Sequence, residues 1–457
     1  MDRAEFDVTT LEEAIASGDI DTVVVAFTDL QGRLVGKRVT GRFFLDRVLA
    51  AGVEACSYLL AVDVDMTPLP GYRFASWDQG YGDVSCRPDL ATLRHLPWLE
   101  RTALVLCDLV DEDGTPVAVS PRQVLREQLA RAAAQGLTVK CGSELEFYLF
   151  RDSYEEARAK HYDGLEYHAP YVQDYHVLQT TRDEYLIRAI RNGMDAAGVP
   201  VEFSKGEAGP GQHEINLEYA DALEMADRHV VYKNGAKEIA GLAGRSITFM
   251  AKYDIAQSGS SCHIHSSLWD STGEQPRGWD DAAPGHWSAA FRHWVGGLVH
   301  HTRELTWLFA PTVNSYKRYQ HESWAPTALA WGLDNRTCGF RVVGHGPSSL
   351  RVESRVPGAD CNPYLAFAAT IAAGLHGLEH AVDPGPACSG NAYEAREIPR
   401  VPSTIVEAIA ALEESKVAVE AFGREVHEHL VNTARQEWAA FGGVVTDWER
   451  RRCFEQF

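Results

Sequence analysis

The acids at Glu144 and Glu146 sit two residues apart in Cys141-Gly142-Ser143-Glu144-Leu145-Glu146-Phe147-Tyr148-Leu149-Phe150, a run with strong β character. Alternate residues on a strand share a face, so both carboxylates point the same way. Two adjacent carboxylates repel each other and are costly to bury unless a divalent cation sits between them. The alternative is a pair of exposed acids on an edge strand. A second pair, Glu207 and Glu214, flanks the Gly/Pro turn of Lys205-Gly206-Glu207-Ala208-Gly209-Pro210-Gly211-Gln212-His213-Glu214, which is either a return toward the same site or an ordinary loop with surface acids. In Ser258-Gly259-Ser260-Ser261-Cys262-His263-Ile264-His265-Ser266-Ser267, the residues His263, His265 and Ser267 alternate onto one face. Arg351, Glu353 and Arg355 alternate likewise, as a cross-strand ion-pair set or as part of an anion site, and Arg318, Arg336 and Arg341 lie just upstream. Oxygen-dominated donors suit Mg²⁺ or Mn²⁺ better than zinc. Arginine forks suit phosphate and carboxylate. Together the residues point to phosphoryl transfer with metals against the phosphates. No GxxxxGK(S/T) pattern occurs, so a P-loop enzyme is excluded.

These groups need strands to align them and helices to back the strands. Val23 to Phe27 and Leu34 to Val39 read as a hairpin about the turn Asp29-Leu30-Gln31-Gly32. Asp63 to Pro88 reads as a loop rich in Gly, Pro and aromatics, and Ala103 to Leu109 as a strand ended by Asp111-Glu112-Asp113-Gly114. A boundary near Gly114 separates a small β-rich unit from a larger α+β unit. Ser120 caps and Pro121 opens a helix ended by Gly136, Thr181-Arg182-Asp183-Glu184 forms a capping box for a helix to about Ala197, and Asn362-Pro363 starts an apolar helix to about His380.

The chain has 457 residues, of which 45% are hydrophobic, enough for a large core. A formal charge of −21 argues against nucleic acid and anionic membrane as partners. The nine cysteines form no CxxC pair, and no secretory signal precedes them, so they read as reduced thiols of a cytoplasmic protein. No run approaches the ~20 apolar residues of a membrane span.

With its motifs taken in order, the sequence resembles the glutamine synthetase family. The segments that carry the resemblance are Gly142-Ser143-Glu144-Leu145-Glu146-Phe147, Gly211-Gln212-His213-Glu214, Asn314-Ser315-Tyr316-Lys317-Arg318 and Asn362-Pro363-Tyr364-Leu365-Ala366. The resemblance implies an α+β fold with a small N-terminal β-grasp domain over residues 1–114. It also implies a catalytic domain over 115–457, with a curved antiparallel sheet and flanking helices. Also implied is a homo-oligomer, a dodecamer of two stacked hexameric rings whose active sites lie between neighbouring subunits. By position, Glu146, Glu207 and Glu214 are implied as ligands of one metal, and Glu144, His263 and Glu353 as ligands of a second. Arg318 and Arg355, with the Gly259 loop, are implied to hold glutamate. Arg336, Arg341 and Arg351 are implied to handle phosphate, with Arg336, Arg341 and Glu353 nearest the chemistry. Tyr219, His265 and Ser267, beside Arg341 and Arg351, match nucleotide-site positions. The implied reaction consumes ATP, activates glutamate's γ-carboxylate as γ-glutamyl phosphate, and joins it to an amine.

The sequence departs from the family where ammonia should bind. The flap glutamate, six residues after the Arg of the NSYKR motif, is here Trp324, and Glu322 lies two residues early. The family's FDGSS segment is absent, leaving Asp63 as the acidic candidate from the N-terminal unit. A tryptophan offers an apolar, π-faced wall suited to an alkylamine. The sequence is similar in this respect to the gamma-glutamylpolyamine and gamma-glutamylethanolamide synthetase branch. Two other readings stand beside it: an ammonia-using enzyme in which Trp324 only packs the flap, and a non-catalytic relative, against which the six intact ligands argue.

Overall fold

A short helix and then a hairpin open the smaller half of this computed structural model, which describes residues 6–457. After a short helix, Val8–Ser17, strands β1 (Thr22–Thr28) and β2 (Leu34–Thr40) pair antiparallel. They are joined by the turn read from Asp29 to Gly32, where Asp29 accepts from the Arg33 backbone N–H at 2.8 Å. The rest of this sheet is β3 (Val53–Cys56), β4 (Asp83–Pro88), the two-residue β5 (Arg94–His95) and β6 (Thr102–Val110). Its order is β2-β1-β6-β4-β3, with β5 on β6 and β1 parallel to β6, a β-grasp arrangement. The stretch read as loop from Asp63 to Pro88 therefore ends in a strand. β4 alternates poorly in sequence, and its pairing with β3 and β6 decides it.

The larger sheet runs β13-β14-β15-β12-β7-β9-β8, with β10 and β11 also on β7. Its strands are β7 (Leu137–Phe150), β8 (Val201–Gly206), β9 (Gln212–Leu217), β10 (Ala220–Asp221), β11 (Ser246–Thr248), β12 (Cys262–Asp270), β13 (Trp331–Leu333), β14 (Phe340–Val343) and β15 (Arg351–Ser354). All its pairs are antiparallel except β13 with β14. Helices back it. Ala289–Phe309 and Pro363–Glu379 approach so closely that a Cβ on Gly297 would lie 2.0 Å from the Ala373 carbonyl oxygen. Trp294 on the first of these donates to Ser266 Oγ at 3.1 Å, which ties the helix to β12.

Asn362 shows how a motif residue joins the two halves. Its side-chain oxygen caps its own helix at the Tyr364 N–H (3.1 Å), and its Nδ2 donates to the Asp29 carbonyl at 3.0 Å in the hairpin turn. Gly32 at φ +78° completes that turn, and a Cβ there would come 3.1 Å from Asn362 Cα. Beside it, buried Arg122 bonds Asp89 (2.7 Å), Asp108 (2.5 Å) and Asp227 (2.9 Å), and Tyr364 Oη donates to Asp227 at 2.6 Å.

Two caps differ from expectation. Ser120 precedes the helix Pro121–Ala134 but makes no side-chain cap bond. The helix Glu184–Ala196 starts at Asp183, not from a box on Thr181, and Asp183 makes no cap bond either. Its carboxylate instead bonds His168 Nδ1 and, at 2.7 Å, His213 Nε2. Local capping lost to a buried carboxylate–histidine hydrogen-bond network.

On the helix Lys416–Gly442, His429 donates through Nε2 to the Leu60 carbonyl at 2.8 Å and packs on Tyr72. Burial pulls its pKa down to about 4. A histidine held neutral in the fold stabilises it fully above the unfolded value of about 6.5, and that contribution fades as pH falls toward 4. We expect His429→Gln to flatten the fall in melting temperature between pH 7 and 4. The wild-type loss traceable to this residue is on the order of 3 kcal/mol.

Among the described residues, no helix is long and apolar enough to cross a membrane.

Candidate active site

The register of the large sheet brings the acids together. His263 on β12 lies opposite Glu144 on β7, Glu146 opposite Glu214 on β9, and His265 opposite Glu353 on β15. Glu207 follows β8 and returns through a turn held by Gln212. Ligand atoms of Glu146, Glu207 and Glu214 lie within 4.8 Å of one another, and so do those of Glu144, His265 and Glu353. His263 joins the second group, its Nδ1 3.1 Å from Glu144 and 3.4 Å from Glu353. His265, expected beside the nucleotide, is thus as near the acids as His263, with Nε2 2.8 Å from Glu144.

One open cleft of about 690 Å³ is lined by Glu144, Glu146, Glu207, Glu214, His263 and Glu353. Gly259, Arg318, Trp324, Arg336, Arg341 and Arg355 line it too. An adjoining cleft of about 310 Å³ is lined by Tyr219, His265, Ser267 and Arg351, and the two share Glu144, Phe203 and Asn216. Asp63 lines neither. Its carboxylate caps its own turn, accepting from Asp65 N (2.9 Å) and Thr67 N (2.8 Å), and it borders a separate cleft with Arg33 and Lys233. Within one chain the structure does not bring Asp63 to the acids.

The electrostatics divide the acids in two. Burial pushes Glu146 up to about 8, with Glu207 adding to it. Burial, then Glu144, Glu146 and Glu207, push Glu214 well above the carboxylate range. Burial acts on Glu144 and Glu353 as well, but His265 and His263 hold the first well below its usual value, and Arg355 and the two histidines bring the second to about 2. Acids that cannot all ionise together, in an all-carboxylate set, fit a divalent cation. Buried polar atoms around the larger cleft, His263 Nε2, Arg318 Nε and Arg355 Nε, have no hydrogen-bond partner within the protein. That also fits a site built to meet bound groups.

The arginines are unequally free. Arg318 is buried and spends three of its five N–H donors on Val356 O (2.8 Å), Ser261 Oγ (2.9 Å) and Arg355 O (3.0 Å), so it offers less than an open fork. Arg341 donates to Glu353 at 2.9 Å and to Asp334 at 2.6 Å. Arg355 donates to Glu353 at 2.5 Å and Arg351 to His265 Nδ1 at 3.1 Å. Arg336, half-exposed and 4.0 Å from Asp334, is the least committed.

Several site residues escaped the sequence reading. Lys205 contacts Glu207 from inside the segment that carries the acids. Gln212 bridges Glu146 (3.2 Å) and the Gly259 carbonyl (3.0 Å), and Tyr148 donates to the Ser258 carbonyl at 2.8 Å. The period-2 alternation from Glu144 through Glu146 to Tyr148 was the available signal for Tyr148. Gly209 packs on that tyrosine, and a Cβ there would lie 2.0 Å from Tyr148 Oη. Gly209→Ala should displace the ring, cost about 1–3 kcal/mol and loosen the Ser258–Gly259 loop. The measurement is chemical denaturation, in which the variant should unfold at lower denaturant than wild type.

The strand-borne acids, the arginines beside them and the adjoining cleft all fall within residues 118–453, which match the glutamine synthetase catalytic domain, and the chain belongs to the glutamine synthetase family of ligases. It is similar to gamma-glutamylethanolamide synthetase of Streptomyces coelicolor, 54% identical over 98% of this chain and 96% of that protein. It is also similar to glutamate–isopropylamine ligase of a Pseudomonas species, 36% identical over 98% of both. Among solved structures, a GmaS/ADP complex superposes with a TM-score of 0.84 at 30% identity, covering 97% of this chain and 99% of that one.

Proposed function

We propose that this protein is an ADP-forming ligase that joins glutamate's γ-carboxylate to a small organic primary amine of the ethanolamine type. The observation that carries the reading is Trp324, whose indole lines the acid-bearing cleft where the family's ammonia-using members have a glutamate. The names of the two similar ligases, one for ethanolamine and one for isopropylamine, support it.

Glutamate's γ-carboxylate oxygen attacks the terminal phosphorus of ATP, and ADP leaves. The amine nitrogen then attacks the acyl phosphate carbon, loses a proton, and phosphate departs. A carboxylate is a poor electrophile, and phosphate makes it a good one. Mg²⁺ or Mn²⁺ would be held by Glu146, Glu207 and Glu214 and by Glu144, His263 and Glu353, where it would neutralise phosphate charge. Arg336 and Arg341 offset charge on the transferring group. Arg318, Arg355 and the Gly259 loop hold glutamate. Tyr219, His265, Ser267 and Arg351 hold the nucleotide. Asp63 would reach an active site only across a subunit boundary, which fits a ring-shaped oligomer such as a dodecamer. We place the division between the two units at Gly114 and the enzyme in the cytoplasm.

The test is phosphate release from ATP, Mg²⁺ and glutamate with ethanolamine, isopropylamine, putrescine, spermidine or ammonium as acceptor. Turnover with ethanolamine well above ammonium is expected. Turnover with ammonium alone would assign the chain to glutamine formation, and silence with every amine would assign it a non-catalytic role.

A further inference from the structure

Three carboxylates and one ammonium share the inner end of the larger cleft. Lys205 lies on β8 directly opposite Glu214 on β9. Its Nζ contacts Glu207 and lies 4.7 Å from the centre of the Tyr175 ring. Its side chain and that of Glu207 are about four-fifths buried or more, at 17% and 15% exposure. Among the described residues no other lysine or arginine is ion-paired to Glu146, Glu207 or Glu214, although the charge of Arg318 also reaches Glu146. The second acid group differs: Glu353 there is paired with two arginines and Glu144 touches two histidines.

In the first group the charges themselves suggest what the ammonium does. Three ionised glutamates carry −3. One divalent cation leaves −1, which is costly in a mostly buried site. A fixed ammonium closes the remainder. We propose that Lys205 is the built-in monovalent counter-charge of the Glu146–Glu207–Glu214 site, which makes the site neutral with a single divalent cation and holds its metal affinity down. The face of Tyr175 gives the ammonium a second resting contact, so it can back away from Glu207 without leaving the site. Lys205 is then a positioning residue that acts through the carboxylates.

The inference rests on the metal reading proposed above, and direct metal binding separates the two. Mn²⁺ is titrated into the full-length protein, with free Mn²⁺ followed by electron paramagnetic resonance, for wild type, Lys205→Gln, Lys205→Arg and Glu214→Gln. Wild type should bind two ions per chain, and Glu214→Gln should lose one, which assigns the site. Lys205→Gln should bind that ion roughly tenfold tighter or more, because a repelling unit charge a few ångströms away is gone. Lys205→Arg, which keeps the charge, should match wild type. Equal or weaker binding by Lys205→Gln overturns the counter-charge role, as does an Arg variant that behaves like Gln. Absence of any Mn²⁺ binding that Glu214→Gln removes overturns the metal reading and the inference with it. Thermal melts of the metal-free variants guard against misfolding: a Lys205→Gln protein that unfolds is replaced by Lys205→Met, which keeps an unbranched stem of similar length, and the same tightening is required of it.

Discussion

Glu353→Ala is expected to abolish amide formation and to unfold the protein more easily, the largest combined effect of any single change. The side chain is fully buried and takes Arg341 on one oxygen at 2.9 Å and Arg355 on the other at 2.5 Å, with His263 at 3.4 Å. Removing it leaves two guanidinium groups facing each other without their shared carboxylate. Breaking a buried pair from one side costs about 3–5 kcal/mol. The same change removes a carboxylate from the second acid group and frees Arg341 and Arg355 from the positions in which it holds them. A loss of ~10³ or more in kcat follows from misplacing such charges. Glu353→Gln separates the two effects. It keeps the volume and one acceptor oxygen, so denaturant stability should recover in part while turnover stays near the Ala level. A Gln variant with normal turnover would remove Glu353 from the chemistry.

The reach of the sequence into this structure follows a physical line. Periodicity located what regular hydrogen bonding enforces. The hairpin about Asp29 to Gly32, the alternation of Glu144 with Glu146 and of His263 with His265, and the apolar helix after Asn362-Pro363 are all present. These features are local, and the pattern alone determines which face each residue takes. What was missed depends on distant partners. β4 exists because β3 and β6 flank it, and Asp183 abandons the expected cap because His168 and His213 reach it from elsewhere in the chain. Lys205 was passed over because a lysine beside a turn reads as solvated, whereas pairing of β8 with β9 turns it into the acids. The commitment of Arg318 to Ser261, Arg355 and Val356 likewise depends on a contact between segments far apart in sequence, so spacing could show an anion site but not how many donors remain open.

Trp324→Glu should redirect the enzyme from organic amines toward ammonium. The indole is 61% exposed and lines the cleft that also holds Glu207 and Arg336. Its backbone sits at φ +61°, with Glu322 at φ +54° close by, and its carbonyl accepts from Arg355 Nη2 at 3.3 Å. The main chain is held by a backbone contact that a side-chain exchange leaves in place, so the substitution acts through the side chain. For ethanolamine the indole can cover two CH₂ groups, each worth about 0.8 kcal/mol. Attraction to its π face acts on ammonium as well as on a protonated amine and drops out of the ratio. The two CH₂ groups give about 1.6 kcal/mol, or ~15-fold in the ratio of kcat/KM for ethanolamine over ammonium. A carboxylate at the same place loses the apolar wall and gains an acceptor for ammonium's proton, so the ethanolamine value falls, the ammonium value rises, and both lower the ratio. Trp324→Phe retains most of the wall and should retain most of the preference. If the Glu variant keeps the wild-type ratio, acceptor choice resides elsewhere in the cleft. If Phe and Glu lose it equally, the shape of the indole, and not its apolar character, is what selects the amine.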